Sequence, residues 1–350
     1  MKISIIIPCR NEKSHIREFL DSVFAQELDP GWELEILVAD GMSNDGTREV
    51  LRDYMARASN VSLIDNPGRI VSTGLNAAIA ASTGEIILRM DAHTTYAPDY
   101  IRQCVCVLNE TGADMVGGPW VAKGRGYLGQ AIAAAFRSPF CGGGAKHRDP
   151  NFEGEVEGAY LGCWRRDIFE KVGLFDPDLV RNQDDEFNFR LRRTGGRAWQ
   201  SPRIKSSYTP RASFGRLFRQ YLQYGFWRVV VIRKHRALVS LRHLVPTLFV
   251  TWILLSVGLM ALTAVAGLSP VSSGIAVNLA IGLLLYAAAC LIAALGFARS
   301  DHPLVVLLLP VVIAVHHIGY GLGFLLGILK FALSGSRLRM PDELFSSLTR

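Results

Sequence analysis

Three short polar runs carry side chains suited to chemistry, and each follows an apolar segment. Asp40 closes the run Leu34–Ala39 and leads into Gly41-Met42-Ser43-Asn44-Asp45-Gly46-Thr47. A carboxylate there can accept hydrogen bonds from a nucleobase N–H or a ribose hydroxyl, while Ser43 or Asp45 has the simpler task of capping the following helix. Asp91-Ala92-His93 follows Ile86-Ile87-Leu88. A divalent ion bridging a diphosphate needs one or two protein ligands, because phosphate and water supply the rest. Imidazole in place of a second carboxylate favours Mn²⁺ over Mg²⁺. Gln183-Asp184-Asp185-Glu186, followed by Arg190 and Gly195-Gly196, opens an amphipathic helix with three carboxylates. Acids suit a helix N-terminus in any case, but deprotonating a hydroxyl also calls for a carboxylate within hydrogen-bond reach. Glu157 and Asp176 are nearby acids that could orient the group losing its proton.

The elements that must position these residues read as repeated strand–helix units over residues 3 to 120. Ile3–Ile7, Leu34–Ala39, Val61–Ile64 and Ile86–Met90 are short, β-branched-rich runs suited to buried parallel strands. Ser14–Ala25 and Thr47–Ala58 between them have apolar residues at helical spacing. The expectation is an α/β fold with an open, mainly parallel sheet covered by helices, and such sheets bind ligands at the carboxyl ends of their strands. Pro8-Cys9-Arg10-Asn11-Glu12, Asp40-Gly41 and Asp91-Ala92-His93 stand at those ends. Residues 137–155 lack periodicity and contain four glycines, which reads as a long functional loop.

Charge is unevenly spread along the 350 residues. From Leu244 to Leu329 the only charged residues are Arg299 and Asp301, whereas Ser201–His243 holds ten Arg and Lys in a chain of net charge +7. Neither a disordered nor a purely soluble protein looks like this. Three apolar segments, about Leu244–Leu268, Gly274–Ala298 and Pro303–Phe331, are each long enough to span a bilayer. The basic block before them points to an anionic cytoplasmic membrane surface rather than to nucleic acid, since no groove-reading motif accompanies it. Three crossings would place Lys330, Arg337 and Arg339 outside, against the positive-inside preference, so a re-entrant third segment is the alternative. Phe214–Arg236 reads as an interfacial helix with Arg216, Arg219, Gln220, Gln223 and Trp227 on one face. The expected domains are 1–213, a soluble catalytic domain; 214–243, a basic interfacial region; 244–331, membrane helices; and 332–350, a polar tail. The opening apolar run is too short for a secretory signal, so the N-terminal domain is expected to stay where it is made.

Other matches carry less. Six cysteines show no CxxC pair and no zinc spacing, which reads as free thiols in a reducing compartment. Gly124-x-Gly126-x-x-Gly129 does not follow the first strand, so dinucleotide binding is not expected. Cys141–His147 resembles a phosphate loop without its spacing. Gly319, Gly323 and Gly327 have the spacing of helix-packing glycines. His316 and His317 are intramembrane polar residues, with packing weighed evenly against function.

Taken together, Ile5-Ile6-Ile7-Pro8-Cys9-Arg10-Asn11-Glu12, the Asp40–Thr47 turn, Asp91-Ala92-His93 and Gln183-Asp184-Asp185-Glu186 resemble glycosyltransferase family 2, in order and spacing, over residues 3 to about 230. The Asp-Ala-His variant, Arg181–Glu186 and the membrane tail are most similar to the bacterial succinoglycan β-glucosyltransferase type. The resemblance implies a GT-A fold and an inverting reaction on a nucleotide-sugar donor, usually UDP-linked, with an Mn²⁺ or Mg²⁺ cofactor at the bacterial inner membrane. By the same resemblance Pro8, Arg10 and Glu12 line the nucleotide pocket and Asp40 holds the base. Asp91 and His93 take the metal–diphosphate position. Asp184 matches the family's base, with Asp185 its rival because Gln183 replaces the usual Glu. The processive members carry Gln-x-x-Arg-Trp; Gln223, Trp227 and Arg228 supply those residue types at another spacing, which with three membrane segments suggests single addition. The expected acceptor is a saccharide on polyprenyl diphosphate, its head held by the 214–236 helix. A polyprenyl-phosphate monosaccharide synthase and a non-catalytic scaffold are the alternatives. The first would act on lipid phosphate alone, and the second would bind no nucleotide with metal.

Overall fold

The computed structural model describes residues 1–210, 213–237, 240–297 and 302–333. Arg299, Asp301, Arg337, Arg339 and the polar tail beyond 333 lie outside them. Contacts divide the chain into two units: Met1–Val121 with Ala145–Thr209, and Ala122–Gly144 with the chain from Pro210 onward.

The first unit begins with the alternation legible in the sequence: β1 (Lys2–Cys9), α1 (Ile16–Phe24), β2 (Glu33–Asp40), α2 (Thr47–Met55), β3 (Val61–Asp65), α3 (Val71–Ala81) and β4 (Ile86–Arg89). It continues through β5 (Thr94–Tyr96), α4 (Tyr100–Thr111) and β6 (Met115–Gly118). In the second unit α5 (Gly126–Arg137) and α6 (Pro139–Gly142) intervene. The chain then returns as β7 (Gly154–Val156), β8 (Tyr160–Arg165), α7 (Ile168–Val172), α8 (Gln183–Arg193), β9 (Ala198–Gln200) and β10 (Ser206–Tyr208). Eight strands form one sheet in the order β3-β2-β1-β4-β8-β6-β9-β7, and β10 pairs separately with β5. β1 runs parallel to β2 and β4, β2 to β3, and β6 to β9, whereas β8 is antiparallel to β4 and β6. Ile3, Ile5, Ile7, Ile36, Val38 and Leu88 fill one core layer; Ile6, Leu37, Ile87 and Trp164 serve the other. Alternate strand residues serving two cores is what burial of both sheet faces requires.

In the second unit α5 and α6 group with α9 (Phe214–His235), α10 (Val245–Val265), α11 (Ser269–Phe297) and α12 (Pro303–Leu333). Three helices, Leu241–Val265, Ser269–Gly296 and Pro303–Phe331, are long and apolar enough to cross a membrane. Two expectations are corrected here. Residues 137–155 hold α6, a turn of 3-10 helix at Lys146–Arg148 and the start of β7, because Ser138 caps α6 and Pro139 starts it. Residues 122–144 do not group with the sheet. Helix α9 is not an isolated interfacial helix either: Gln220, Gln223, Trp227 and Arg228 are buried within the unit, while Arg216 stays exposed. A Cβ on Gly323 would lie 1.9 Å from the Leu222 carbonyl oxygen, and one on Gly225 2.1 Å from that of Tyr320, so these glycines let α9 and α12 meet backbone to backbone.

Candidate active site

The loops after β1 and β2 are stitched together. Ser43 Oγ accepts from the Asn11 N–H at 2.7 Å, Thr47 Oγ1 from the Glu12 N–H at 2.9 Å, and Asp45 from the Lys13 N–H at 3.1 Å. Asp45 also accepts from the Thr47 N–H and hydroxyl, which completes the start of α2. These bonds, led by that from the Thr47 hydroxyl, outweigh burial and lower its pKa. The side chain of Arg10 lies over Gly41, where a Cβ would come within 3.1 Å of Arg10 Cδ. Pro8 is half-buried in β1.

Asp40 is 0% exposed. Its oxygens accept from Ser43 N–H at 2.9 Å, Ser43 Oγ at 2.5 Å and Arg48 Nη1 at 2.8 Å, while Arg48 Nη2 donates to Asp65 at 2.6 Å. This carboxylate holds the loop and Arg48 in place. Arg48 and the exposed Asp65 stand outward of it, a pair that the apolar pattern around β3 did not bring to notice.

At the end of β4, Arg89 Nε and Nη2 each donate to one Asp91 oxygen at 2.9 Å. Burial disfavours the Arg89 charge, but the Asp91 carboxylate outweighs it and raises the guanidinium pKa. The Tyr96 hydroxyl accepts the Asp91 N–H at 2.6 Å and fixes the backbone there. His93 is exposed, with Nδ1 3.8 Å from Glu12 Oε1, so the ends of β1 and β4 converge. Among the described residues no group of three or more His, Cys, Asp or Glu is arranged to hold a metal. The lone pairs of Asp91 that Arg89 leaves, with the His93 imidazole, still fit an ion that draws most of its ligands from phosphate and water.

Beside this pair stands an aromatic wall that the sequence did not reveal. Pairing of β10 with β5 sets Tyr208 opposite Thr94, and its ring lies 5.7 Å from that of His93. Trp120 follows at 6.0 Å from Tyr208 and 6.3 Å from Tyr160, whose hydroxyl is 3.1 Å from Thr94 Oγ1. Arg148 lies over Trp120 at 5.2 Å.

Helix α8 opens after Asn182, which sits at φ 60°. Asp184 and Asp185 fall in its first turn, and Asp184 accepts the Asp185 N–H at 2.9 Å. Asp184 is open to solvent on one side and crowded by protein on the others. That crowding first, then the neighbouring Asp185 charge, raises its pKa, against an opposing pull from Arg89. Glu186, by contrast, is 0% exposed and clasped by Arg190, so the third carboxylate is structural. Asp176 is buried and accepts the Asp178 N–H in a turn, while Glu157 is exposed. Gln223, Trp227 and Arg228 lie in the other unit, buried on α9.

A mainly parallel sheet with an aspartate–histidine pair at one strand end and a carboxylate pair opening a helix is the frame of a GT-A glycosyltransferase. The sequence profile described as Glycosyl transferase family 2 matches residues 4–173. Succinoglycan biosynthesis protein ExoA of Rhizobium meliloti (strain 1021) is 36% identical over 244 residues, 69% of this chain and 73% of that protein. A dolichyl N-acetyl-alpha-D-glucosaminyl phosphate 3-beta-D-2,3-diacetamido-2,3-dideoxy-beta-D-glucuronosyltransferase of Methanococcus voltae is 27% identical over 241 residues, 66% of this chain and 74% of that one. Among solved structures, a mannosyltransferase from Pyrobaculum calidifontis in complex with GDP-Man and Mn²⁺ shares the fold, with a TM-score of 0.57 at 20% identity over 91% of this chain and 86% of that one. The chain belongs to glycosyltransferase family 2.

Proposed function

We propose that this enzyme transfers one glucosyl unit from UDP-glucose, with inversion, to a saccharide carried on polyprenyl diphosphate, at the cytoplasmic face of a bacterial cell membrane. The observation that carries the reading is the convergence of the β1 and β4 ends, where His93 Nδ1 lies 3.8 Å from Glu12 Oε1 and Arg89 clasps Asp91. In this reading Asp184 takes the proton of an acceptor hydroxyl as that oxygen bonds to the anomeric carbon. The bond from that carbon to UDP breaks on the opposite side, and the diphosphate leaves with the electron pair. A carboxylate with a raised pKa is a stronger base while still ionised. Asp185 is the rival for this role. Asp91 and His93 would hold a divalent cation, which supplies charge stabilisation to the departing diphosphate. Arg10 and Glu12 flank the nucleotide side, and Asp40 supports it through Arg48.

Trp120, Tyr160 and Tyr208 offer ring faces suited to the C–H face of an acceptor pyranose. In the second unit, the Phe214–His235 helix is proposed to meet the lipid-linked head through its exposed Arg216, since Gln223, Trp227 and Arg228 are buried. The Methanococcus voltae relative bears a name that gives it a dolichyl-linked sugar as acceptor, and this supports a lipid-linked saccharide over bare lipid phosphate here. The test is calorimetric binding of UDP and GDP to detergent-purified protein with Mn²⁺ and with EDTA, followed by transfer from labelled UDP-glucose. UDP binding lost with EDTA, and transfer to a lipid-linked saccharide but not to undecaprenyl phosphate alone, is the expected result. Binding of neither nucleotide by folded protein would sink the reading.

A further inference from the structure

Helices α10 and α11 form the outer side of the second unit: 11% and 6% of their apolar stretches are buried, against 44% for that of α12. An open groove between them is lined by exposed apolar side chains such as Leu248 and Leu255 and by four polar ones, Thr251, Trp252, Ser256 and Asn278. Thr251 Oγ1 is satisfied within its own helix, donating to the Thr247 carbonyl oxygen at 2.8 Å. Asn278 is exposed, and its carboxamide has no hydrogen-bond partner among the described residues. The contacts on either side of it fix its depth. Ser272 Oγ donates to the Met260 carbonyl oxygen at 3.3 Å, and a Cβ on Gly282 would lie 2.2 Å from the Trp252 ring. Between those contacts the antiparallel pair brings Asn278 level with Leu255, the midpoint of Val245–Val265. That helix has 21 residues and a length of about 31 Å, the thickness of the hydrocarbon core. Asn278 thus faces outward near the bilayer midplane, where lipid tails offer it no hydrogen bond.

We propose that the α10–α11 face is a self-association surface, on which a second copy of this chain docks so that the two Asn278 side chains hydrogen-bond each other inside the membrane. The inference rests on the membrane placement proposed above and not on the nucleotide or the acceptor. Polar side chains in membrane spans normally face a protein partner or a water-filled cavity. A carboxamide both donates and accepts, so two copies related by a two-fold axis satisfy each other with the same residue. A bound lipid cannot do this, because its polar groups sit at the interface rather than at the midplane. The Ser256 hydroxyl, which lines the same groove, adds a second donor and acceptor. Gly274 lies one turn before Asn278, and a Cβ there would meet nothing within 4 Å, which leaves room for a second helix to approach closely. Lipid covers Leu248 and Leu255 as well as protein does, so the polar side chains, not the apolar ones, select the partner.

The test is energy transfer between donor- and acceptor-labelled copies of the full chain in liposomes, titrated by dilution with lipid, together with light scattering in mild detergent. Wild-type protein is expected to associate, with a protein mass twice the 38.5 kDa of one chain. Asn278→Leu is expected to weaken association about tenfold, the scale of one or two interhelical hydrogen bonds, with an unchanged melting temperature because the side chain faces outward. Asn278→Gln keeps the carboxamide and is expected to retain most of the association. Wild-type protein that stays monomeric at every lipid ratio overturns the inference, and so does an Asn278→Leu variant that associates as tightly as wild type. Protein washed from the liposomes by alkaline carbonate overturns the membrane placement and this inference with it. Copies that associate through Asn278 yet bind no UDP sustain the inference and sink the nucleotide reading alone.

Discussion

Replacing Arg190 tests whether α8 owes its position to a buried ion pair. Arg190 Nε and Nη2 donate to the Glu186 oxygens at 2.9–3.1 Å, Nη2 donates to the Leu174 carbonyl oxygen at 2.7 Å, and Nη1 donates to that of Val172. The guanidinium also lies 5.3 Å over the Phe187 ring. Arg190→Met leaves Glu186, which is 0% exposed, without this clasp. Removing one partner of a buried pair costs about 3–5 kcal/mol. In a unit of this size each kcal/mol lowers the melting temperature by about 2–4 °C, so a fall of about 10 °C is expected. The double variant Glu186→Gln/Arg190→Met removes both charges and should recover more than half of that loss, because replacing a whole buried pair is often nearly neutral. Differential scanning fluorimetry of the detergent-purified protein, with and without UDP, reads these shifts. A single variant within about 2 °C of wild type, or a double variant as unstable as the single, refutes the argument, since 3–5 kcal/mol could not be hidden.

Asp184→Asn should lower transfer by about a hundredfold or more, the scale of a lost general base, while calorimetric UDP affinity stays unchanged; if Asp185→Asn instead shows this pattern, the two exchange roles. Glu35 is held by Ser4, Thr83 and Lys2 hydrogen bonds that outweigh burial and bring its pKa from 4.5 to about 2. Its depressed value means the stabilisation is fully present above pH about 4.5 and lost as the pH falls towards 2, so Glu35→Gln should flatten the melting-temperature profile over that window. An unchanged acid slope would remove Glu35 as its source. Gly323→Ala should destabilise the protein by about 1–3 kcal/mol through overpacking. Gly327→Ala should cost less, because its nearest contact would be 3.0 Å from the Val229 side chain rather than 1.9 Å from backbone; a reversed order in thermal melts contradicts the packing account.

The parallel strands were legible in the sequence because both their faces are buried, which leaves unbroken β-branched runs such as Ile5-Ile6-Ile7. Observed β1 and β2 extend the expected runs by one or two residues, since polar residues such as Glu33 and Asp40 pair in register too. The carboxylates at strand ends were visible as residue types, but their partners were not. The bonds that Asp40 accepts from Ser43 and Arg48 could not be read from its position, and Glu186 reads like Asp184 until the helix turns it inward to Arg190. The i,i+2 spacing of Arg89 and Asp91 was available as a signal, because residues two apart at a strand end share a face. The aromatic wall was beyond reach. Tyr208 is brought to His93 by pairing of β10 with β5 and to Trp120 by the bond from its N–H to the Val121 carbonyl oxygen, and no local pattern encodes contacts between such distant residues.

The glycine contact between α9 and α12 has a practical consequence for anyone cutting this chain. Leu222, Phe226 and Val230 of α9 are buried in the second unit, and Gly323 lies directly against the Leu222 carbonyl. A truncation placed after α9 and before the apolar helices would strip α12 away and leave that buried face bare to water. Such a fragment would be sticky for a reason unrelated to its catalytic domain, and its aggregation would say nothing about activity. A fragment ending before Phe214 would still carry α5 and α6, which group with the apolar helices, so any fragment that keeps α5 or α9 must keep α12 as well.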